Sequence, residues 1–419
     1  MPRPHVTPPQ PAPVRIAGAG LVTPLGLGLW PTFRRILAGE CITDRTARLD
    51  ADTDALSVVR AIGGVARARR QWVDASIEIA EAAVREAAAQ AGLRLGHDTP
   101  IWLGSSKGAV EAMDRSADAV RLRRRLPDTA GVPAVAPHAV LAHELGARLG
   151  APVVSISAAA CASGLVALHA ARCAMQAPDG PSQAVVVAVD AGIVPSLIHS
   201  YRRLGVLAPP EPDRYRQRPL SQRAQGFVLS ECAAALVLDR TMPAKPSELC
   251  LGDTAIGCEA YDAVRPPPTL ITQTALLRRL WPVETPVAAH HPHAPGTLQH
   301  DAAEWAAIQQ IEGEREIDPA SLAPLYAGKG AIGHSLGAAG LCSTVLACAA
   351  HQTGRLPPMP WLTGDAIEGI EGRYDATKPT PIARGSHLVW ASGFGGHVAG
   401  VRLDPSRNQD RGQTRLPIA

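Results

Sequence analysis

The sequence predicts an α/β protein, and three observations lead to that prediction. The chain has 419 residues, of which 46% are hydrophobic and 19% charged, so it carries enough apolar surface to bury a large core. Several apolar runs, such as the one from Gln183 to Gly192, are almost continuous and are typical of strands buried on both faces. Segments with helical periodicity, such as Ala75 to Ala91, lie between these runs. We therefore expect a parallel sheet that helices cover on both faces.

This order of strands and helices occurs twice along the chain. A polar, proline-containing stretch at 240–247 separates the two parts. We expect an N-terminal half over 14–245 and a C-terminal half over 246–405, with a disordered lead at 1–13 and a tail at 406–419. Strands with their turns are predicted at 14–26, 100–108, 183–192, 226–239, 248–258, 286–290, 386–392 and 397–403, helices at 75–91, 271–281, 301–312 and 337–352, and a surface loop at 207–225.

Composition argues against nucleic-acid-binding and membrane-spanning classes of protein. The net charge is +3 and aromatic residues make up 4%, so neither a strongly basic surface nor a base-stacking surface is indicated. No apolar run is long enough to span a bilayer, and no signal-peptide core is visible near the N-terminus. The eight cysteines form no C-x-x-C pair and match no zinc pattern. We expect a cytoplasmic protein with reduced thiols and no metal ion.

The most informative stretch runs from Pro152 to Ala171 and contains Cys161. Its first part is rich in β-branched residues and predicts a buried strand, and its second part, from Ser163 onward, predicts a helix. A helix N-terminus favours negative charge, so we expect the pKa of Cys161 to be lowered and its thiolate to act as a nucleophile. The alternative is an ordinary buried cysteine, which is the commoner role of this residue type.

Three further stretches carry polar or flexible residues at predicted turns. His293 follows a predicted strand, His334 lies among glycines before an alanine-rich helix, and Phe394 lies within a glycine-rich turn. Each alone has a simpler explanation, because histidines at helix starts and glycine-rich turns are common structural features. A cysteine, two histidines and a phenylalanine at four such turns together indicate one catalytic site.

Six motifs, taken in order, are similar to those of the β-ketoacyl-acyl carrier protein synthases, which are condensing enzymes of the thiolase superfamily. The resemblance runs from about Val14 to Leu403. It implies a thiolase-like fold, in which duplicated βαβαβαββ halves form a five-layer αβαβα sandwich. Residues 22–26 resemble the family motif V-x-P-x-G, residues 159–163 resemble T-A-C-[AS]-[ST], and residues 218–231 resemble R-P-F-D-x-x-R-x-G-F-V-x-x-E. Residues 293–304 resemble H-G-T-x-T-x-x-x-D-x-x-E, residues 329–340 resemble K-x-x-x-G-H-x-x-G-A-A-G, and residues 393–396 resemble G-F-G-G.

The resemblance also implies a role for each matched residue. Cys161 would attack an acyl thioester and hold the acyl group, while His293 and His334 would contact the thioester carbonyl of a malonyl substrate and promote loss of CO₂. One preorganised donor of this kind stabilises a transition state by about 3–4 kcal/mol, and neutral imidazoles suit the role, so we expect burial to lower their pKa values. Lys329 would orient the histidine pair, and the N–H groups of Cys161 and Phe394 would form an oxyanion hole. The residues implied to bind substrate are Phe394, Thr297, Gly393 and Gly395, and those implied to support the site are Glu231, Asp301 and Glu304.

Several positions depart from the family pattern. Ala294 and Pro295 replace the Gly-Thr pair that follows the first histidine, which removes a hydroxyl that would contact the carrier-bound arm. His293 is preferred over His290 and His291 as the motif histidine, because it alone keeps the later threonine and acids of the motif in phase. Together with changes in the third motif, these departures indicate a specialised synthase and not the housekeeping fatty-acid enzyme.

Three functions fit these motifs. The first is decarboxylative condensation of an acyl thioester with malonyl on an acyl carrier protein, in fatty acid, polyketide or polyene biosynthesis, and the presence of Cys161 with both histidines favours it. The second is a catalytically silent subunit similar to a chain-length factor; such subunits usually lack the cysteine, but the altered residues after His293 keep this function open. The third is an acyltransferase that moves an acyl group without decarboxylation.

The resemblance implies two protein partners. One is an acyl carrier protein, whose acidic surface would suit the basic residues Arg121 and Arg123–Arg125, or Arg202 and Arg203. The other is a second ketosynthase chain, as a homodimer or as a heterodimer with a related subunit, and the strand at 183–192 is the candidate edge at that interface. No bound cofactor is expected, because the phosphopantetheine arm arrives on the carrier, and neither a nucleic acid nor a membrane is an expected partner.

Overall fold

The computed structural model describes residues 13–41, 58–59, 74–123, 136–209, 215–267, 269–282 and 285–406. The expected lead and tail lie almost wholly outside these ranges, as do Arg124 and Arg125. The described helices are α1 (Leu29–Leu37), α2 (Ala75–Ala91), α3 (Val110–Arg121), α4 (Pro137–Leu149), α5 (Ser163–Gln176), α6 (Pro195–Arg203), α7 (Ile271–Leu280), α8 (Leu298–Glu314), α9 (Lys329–Ile332) and α10 (Ala339–Thr353). The described strands are β1 (Val14–Thr23), β2 (Gly26–Leu27), β3 (Val58–Val59), β4 (Ile101–Gly104), β5 (Val153–Ser157), β6 (Gln183–Asp190), β7 (Leu229–Ser230), β8 (Cys232–Asp239), β9 (Leu249–Cys258), β10 (Val287–His291), β11 (Arg355–Leu356), β12 (Thr380–Pro381), β13 (Ser386–Ser392) and β14 (His397–Pro405).

The two halves contribute strands to one large sheet in the same order. That order is β1-β8-β6-β4-β5 in the first half and β9-β14-β13-β10 in the second. In each half the first strand lies beside the last, and the last runs antiparallel to both of its neighbours. The repeated order agrees with the duplicated fold expected from the sequence. The sheet is mixed and not parallel throughout, because β8 and β14 run antiparallel to their neighbours. β14 returns directly from β13 through a tight turn, which agrees with the closing strand pair expected from the sequence.

Helices and strands form five stacked layers. α2 and α4 cover the outer face of the first half, α5 and α10 pack between the halves, and α7 and α8 cover the outer face of the second half. The side chains of β6 show why its sequence is continuously apolar. Val185, Val187 and Val189 pack into the outer core, whereas Val186 and Ala188 pack into the inner core beside α5. A strand covered on both faces needs an apolar residue at every position.

The helix sequences match the layers in which the helices lie. α10 is in the middle layer, and every residue from Ala339 to Ala350 is buried, so it has no polar face along that length. α2 covers one face of the sheet and is capped at both ends. The carboxylate of Asp74 accepts the N–H of Ser76 at its start, and Gly92 takes the left-handed conformation at its end.

The edge of the sheet differs from the one expected. β6, predicted as a candidate edge at a dimer interface, lies between β8 and β4 and is therefore internal, so that prediction is wrong. The edge strand of the first half is β5, which pairs only with β4 among the described strands. It exposes two apolar side chains, Val154 at 52% and Ile156 at 38%.

The segment predicted as a surface loop at 207–225 is partly buried. Gln217, Leu220 and Ser221 are enclosed by the second half of the chain. The Gln217 side chain donates to the carbonyl of Pro295 and accepts the N–H of Val228. The prediction of a surface loop is therefore wrong for these residues, because they hold the loop that follows β10.

Neighbouring strands β10 and β13 carry a buried pair of histidines. His291 Nε2 and His387 Nδ1 are 3.1 Å apart, and the two rings stack. Burial lowers the pKa of His291 to about 3 and lowers that of His387 well below its usual value. Both imidazoles are therefore neutral in the folded protein at neutral pH.

These pKa shifts predict that the protein loses stability in mild acid. A histidine kept neutral by folding contributes stability that is complete above its unfolded pKa near 6.5 and is lost as the pH falls toward its folded pKa. Over that window each such group changes the free energy of unfolding by about 1.4 kcal/mol per pH unit. We predict that His291→Phe makes the slope of unfolding free energy against pH shallower by about one proton between pH 5 and 6.5.

Urea unfolding at several pH values measures this slope. His143→Phe, on the exposed face of α4, is the matched control for the replacement of a histidine by phenylalanine. An unchanged slope in His291→Phe would show that His291 is protonated alike in the folded and unfolded chains.

Candidate active site

Cys161 lies in the turn between β5 and α5, where the sequence predicts it. The residue before it, Ala160, has a φ of 47°, a left-handed conformation that is strained for a residue with a Cβ. Ser163 holds this turn, because its Oγ accepts the N–H of Ala159 at 2.9 Å and donates to the carbonyl of Ala160 at 2.6 Å. The cysteine is thereby fixed in a strained turn at the end of the edge strand.

Burial raises the pKa of Cys161 to about 12. Loss of water around the thiol is the largest cause, and the buried carboxylate of Asp190 adds to it. Lys329 and Lys107 lower the pKa but do not offset the burial. The prediction of a lowered pKa is therefore wrong, and the resting side chain at neutral pH is a thiol.

His293 and His334 lie side by side near the cysteine. Their ring centroids are 5.5 Å apart and their planes are inclined by 76°. Both side chains are buried, and the ring of Phe227 packs edge-on at 4.8 Å from that of His334. Two imidazoles from separate loops are thus held in one small volume.

Burial lowers the pKa of both imidazoles well below the usual value, as expected from the sequence. Loss of water is the main cause, and the nearby Lys329 contributes. Nδ1 of His334 accepts the N–H of Leu336 at 3.2 Å, which leaves Nε2 to carry the proton of the neutral ring. Nδ1 of His293 has no hydrogen-bond partner among the described residues, so no bond at that atom fixes the tautomer.

Lys329 and Glu304 hold the backbone that carries His293. The Lys329 ammonium donates to the carbonyl of His293. The Glu304 carboxylate accepts the N–H groups of His293 and Ala294, both at 2.7 Å. Burial lowers the pKa of Lys329, and the charge of Glu304 is the largest effect opposing that shift. A cation and an anion therefore meet at the same short loop.

Asp301 connects this loop to the buried part of 215–226. Its carboxylate accepts the N–H of Leu220 at 2.8 Å and that of Gly296 at 3.2 Å. Burial raises the pKa of Asp301 to about 7. The loop is thus held from two sides by buried carboxylates, one from each of two turns of α8.

Ala294 occupies a position where the family has glycine. Its φ is 32°, within the region that glycine adopts without strain. The departure from the family pattern therefore keeps the path of the loop and adds backbone strain. The Glu304 contact to the Ala294 N–H holds the residue in this conformation.

Phe394 lies in the turn between β13 and β14, directly against the cysteine turn. A Cβ added to Gly393 would lie 2.8 Å from the nitrogen of Cys161, so only glycine fits at that position. Gly395 has a φ of 81°, which also favours glycine. The ring of Phe394 lies 6.2 Å from that of Tyr201. This close approach brings the peptide groups of Cys161 and Phe394 together.

A cavity of about 850 Å³ brings much of the expected site together. Its wall includes six of the residues predicted from the sequence: Cys161, His293, Thr297, His334, Gly393 and Phe394. Five others do not line it: Glu231, Asp301, Glu304, Lys329 and Gly395. Of these, Glu231 is buried between β7 and β8, next to Ser230, whose N–H donates to the carbonyl of His334.

The buried side chains on the cavity wall that are missing from the sequence prediction include Gln273 and His300. Gln273 on α7 accepts from Ser392 at 2.9 Å and donates to Glu304 at 3.1 Å, which connects the Phe394 turn to the His293 loop. His300 on α8 packs beside His293. The sequence gives one indication that His300 belongs to the site: it precedes Glu304 by four residues and therefore lies on the same face of the helix.

The described residues offer no metal centre. Within them, no three His, Cys, Asp or Glu side chains are arranged to bind a metal ion. All eight cysteines are free thiols, and only Cys173 and Cys258 are exposed. In the same part of the chain, no helix combines the length and the apolar character needed to cross a bilayer.

Comparison with family models identifies the class of protein. The model of the beta-ketoacyl synthase N-terminal domain matches residues 12–244, and the model of the C-terminal domain matches residues 254–363. The matches cover most of the chain and include the cysteine turn and both histidine loops. The chain belongs to the beta-ketoacyl synthase family.

Individual relatives come from polyketide synthases. The chain is 29% identical to "Oxytetracycline polyketide putative beta-ketoacyl synthase 1" of Streptomyces rimosus over 94% of this chain and 98% of that protein. It is 25% identical to the tetracenomycin polyketide synthase ketoacyl synthase alpha subunit of Streptomyces glaucescens, over 82% and 86% of the two chains.

Solved structures show the same fold. A chain from a type II polyketide synthase acyl-carrier protein in complex with its ketosynthase matches with a TM-score of 0.77 at 20% identity, over 94% of this chain and all of that chain. The ishigamide ketosynthase/chain length factor matches with a TM-score of 0.78 at 19% identity, over 94% and 99%. The protein therefore has the thiolase-like fold that the sequence predicts.

The contacts of Glu304 predict a large loss of stability on Glu304→Gln. The carboxamide has one acceptor oxygen for the N–H groups that two carboxylate oxygens now serve, and the Lys329 ammonium loses its main opposing charge. Leaving a buried N–H group without an acceptor costs about 1–3 kcal/mol, and more where a charge is involved, so we expect a loss of about 3 kcal/mol.

Chemical denaturation measures this loss. Asp375→Asn is the matched control, because that carboxylate also accepts two backbone N–H groups but lies in a partly exposed turn. We expect a loss below about 1 kcal/mol there. Equal losses in the two variants would show that Glu304 has no special role.

Proposed function

We propose that this chain catalyses decarboxylative condensation in polyketide biosynthesis. Acyl-S-carrier, malonyl-S-carrier and one proton would give 3-oxoacyl-S-carrier, free carrier thiol and CO₂. The observation that carries the proposal is that the buried side chains of Cys161, His293 and His334 line one cavity. Membership of the beta-ketoacyl synthase family and the polyketide synthase relatives support the choice of substrates.

The first half-reaction transfers the acyl group to Cys161. Its sulfur attacks the thioester carbonyl, the bond to the carrier sulfur breaks, and the thiol proton ends on the departing carrier sulfur. With a pKa of about 12, Cys161 needs a base to move this proton. His293 suits the task, because no described residue bonds to its Nδ1 and so fixes the tautomer there, whereas Nε2 of His334 already carries a proton.

The second half-reaction uses both imidazoles as donors. As CO₂ leaves the malonyl group, the electron pair of the broken C–C bond forms an enolate, whose oxygen accepts hydrogen bonds from His293 and His334. The enolate carbon attacks the acyl group on Cys161, and the N–H groups of Cys161 and Phe394 hold the oxyanion. Cys161 leaves as a thiolate and takes one proton from solvent. Loss of one such donor typically slows a reaction by about 10²–10³-fold.

Intact-protein mass spectrometry combined with CO₂ release tests the reaction. Wild-type protein should form an acyl adduct with acyl-carrier thioesters, and adding malonyl-carrier should remove the adduct and release CO₂. Cys161→Ala should form no adduct, whereas His334→Ala should form the adduct but release CO₂ about 10²–10³-fold more slowly.

Two outcomes would replace the proposal with an alternative function. An adduct on the wild type that never condenses would indicate an acyltransferase. No adduct with any acyl carrier would indicate a silent subunit similar to a chain-length factor. The acyl carriers that form the adduct will show whether the product is a polyketide, a fatty acid or a polyene.

The carrier would dock at the mouth of the cavity beside α6. Arg203 lines the cavity, and Arg202 precedes it in the last turn of α6; both are exposed. The other basic region is weaker, because Arg121 is paired with Asp118 and does not line the cavity. We propose that Arg202 and Arg203 attract the acidic carrier, which carries the phosphopantetheine arm to the site.

Charge reversal tests this docking surface. Arg203→Glu should raise the KM for malonyl-carrier about tenfold at low salt and much less at high salt, because exposed charges are screened. Arg121→Glu is the matched control and should leave the KM unchanged. A larger increase in KM for Arg121→Glu than for Arg203→Glu would indicate that the carrier docks at α3.

We propose a homodimer built on the β5 edge in place of the β6 edge expected earlier. An edge strand presents unpaired backbone groups, and Val154 and Ile156 add exposed apolar side chains. Since Cys161 follows β5 within four residues, the interface would also stiffen the cysteine turn.

A cytoplasmic location of the protein stays a prediction.

Sedimentation tests the dimer. The wild type should sediment as a dimer and Val154→Asp as a monomer with slower acylation, because a carboxylate cannot be buried unpaired at a sheet edge. Met242→Asp, at 60% exposure and off the β5 edge, is the control and should remain dimeric. A wild type that is monomeric at all concentrations, or dimeric only with a related subunit, would contradict the homodimer.

A further inference from the structure

The cavity contains a third histidine that the proposed reaction does not use. His300 lies in the first turns of α8, and its ring centroid is 5.2 Å from that of His293, with the planes inclined by 82°. It lines the same cavity as His293 and His334 and is 8% exposed.

One ring nitrogen of His300 has no hydrogen-bond partner among the residues that the structure describes. Nε2 is fully buried, and no described residue bonds to it. A buried polar atom left in this state costs about 1–3 kcal/mol, so such atoms are rare without a functional reason. The cavity beside it is where a substrate group could satisfy this nitrogen.

The surroundings of His300 favour an uncharged ligand group. Loss of water lowers the pKa of His300, Lys329 lowers it further, and the carboxylates of Glu304 and Glu259 act in the opposite direction without offsetting the burial. Nε2 of the neutral ring is either a donor or an acceptor, depending on the tautomer. A secondary amide can satisfy it in either case, because the amide has both an N–H and a carbonyl oxygen, whereas a carboxylate can only accept.

The position of His300 suits a group a few bonds from the reacting carbonyl. On one side it touches the ring of His293, and on the other it is within electrostatic range of Glu259. Glu259 lines the cavity together with the exposed Tyr261, so this side leads toward solvent. In a carrier-bound thioester the first amide nitrogen lies three bonds from the sulfur, roughly 4 Å away, which is comparable with the spacing of the two histidines.

We propose that His300 hydrogen-bonds the first amide of the carrier's phosphopantetheine arm and so positions the malonyl thioester against His293 and His334. This role rests on the proposed condensing function. It makes His300 a binding residue for the arm and not a further acid or base.

Two small malonyl thioesters test the role. Malonyl-N-acetylcysteamine keeps the first amide, and malonyl ethanethioester lacks it. CO₂ release without a primer gives kcat and KM for each with wild type, His300→Phe, and His143→Phe as a control on exposed α4. We expect His300→Phe to lower kcat/KM for the amide-bearing thioester about tenfold, mainly through KM, and to change the other thioester less than twofold. The control should change neither.

Three results would overturn the role. An equal loss with both thioesters would place the effect of His300 at the reacting groups or in the loop structure. No loss with either would show that its nitrogen is satisfied by water. If the wild type released no CO₂ from either thioester, the proposed condensing function itself would fail, and this role with it. If His300→Phe does not fold, His300→Leu gives the same comparison.

Discussion

Removal of water from the groups around Cys161 is the constraint on which the site depends. The same loss of solvent raises the pKa of the thiol and lowers those of His293, His334 and Lys329, because burial always disfavours the charged form. The resting nucleophile and both imidazoles are consequently neutral. Neutral donors that are themselves shielded from water act most strongly when charge develops in the transition state, and they affect uncharged reactants much less.

The fold buries these side chains by joining two copies of one topology. Cys161 comes from the first half, whereas Lys329, His334 and Phe394 come from the second. In the first half the cysteine follows β5, which pairs in parallel with β4. In the second half a short segment at Leu325 pairs in parallel with β10 and is followed by Lys329. Equivalent turns therefore meet between the halves, and neither half contains the site alone.

The sequence predicts local structure well and tertiary effects poorly. The helix Ala75–Ala91 and the strand Ser386–Ser392 have the bounds expected from periodicity. The edge strand was misplaced, because strand order depends on pairing between distant segments and not on the apolar pattern of β6. The pKa of Cys161 was predicted in the wrong direction, because a helix N-terminus is visible in the sequence whereas burial is not. His300 was missed because its importance arises from the ring of His293, which only the folded chain brings beside it.

The most direct test of a desolvated, neutral site is the pH dependence of Cys161 alkylation. Iodoacetamide reacts with thiolate, so the initial rate at the Cys161 peptide, followed by mass spectrometry, reports the thiolate fraction. The exposed Cys173 and Cys258 serve as internal references in the same samples. We predict that the Cys161 rate is low at pH 7 and is still rising at pH 10, because burial raises the pKa of this thiol to about 12. A Cys161 rate that reaches its plateau below pH 7 would mean a thiolate paired with a charged histidine, and would contradict a site that is neutral at rest.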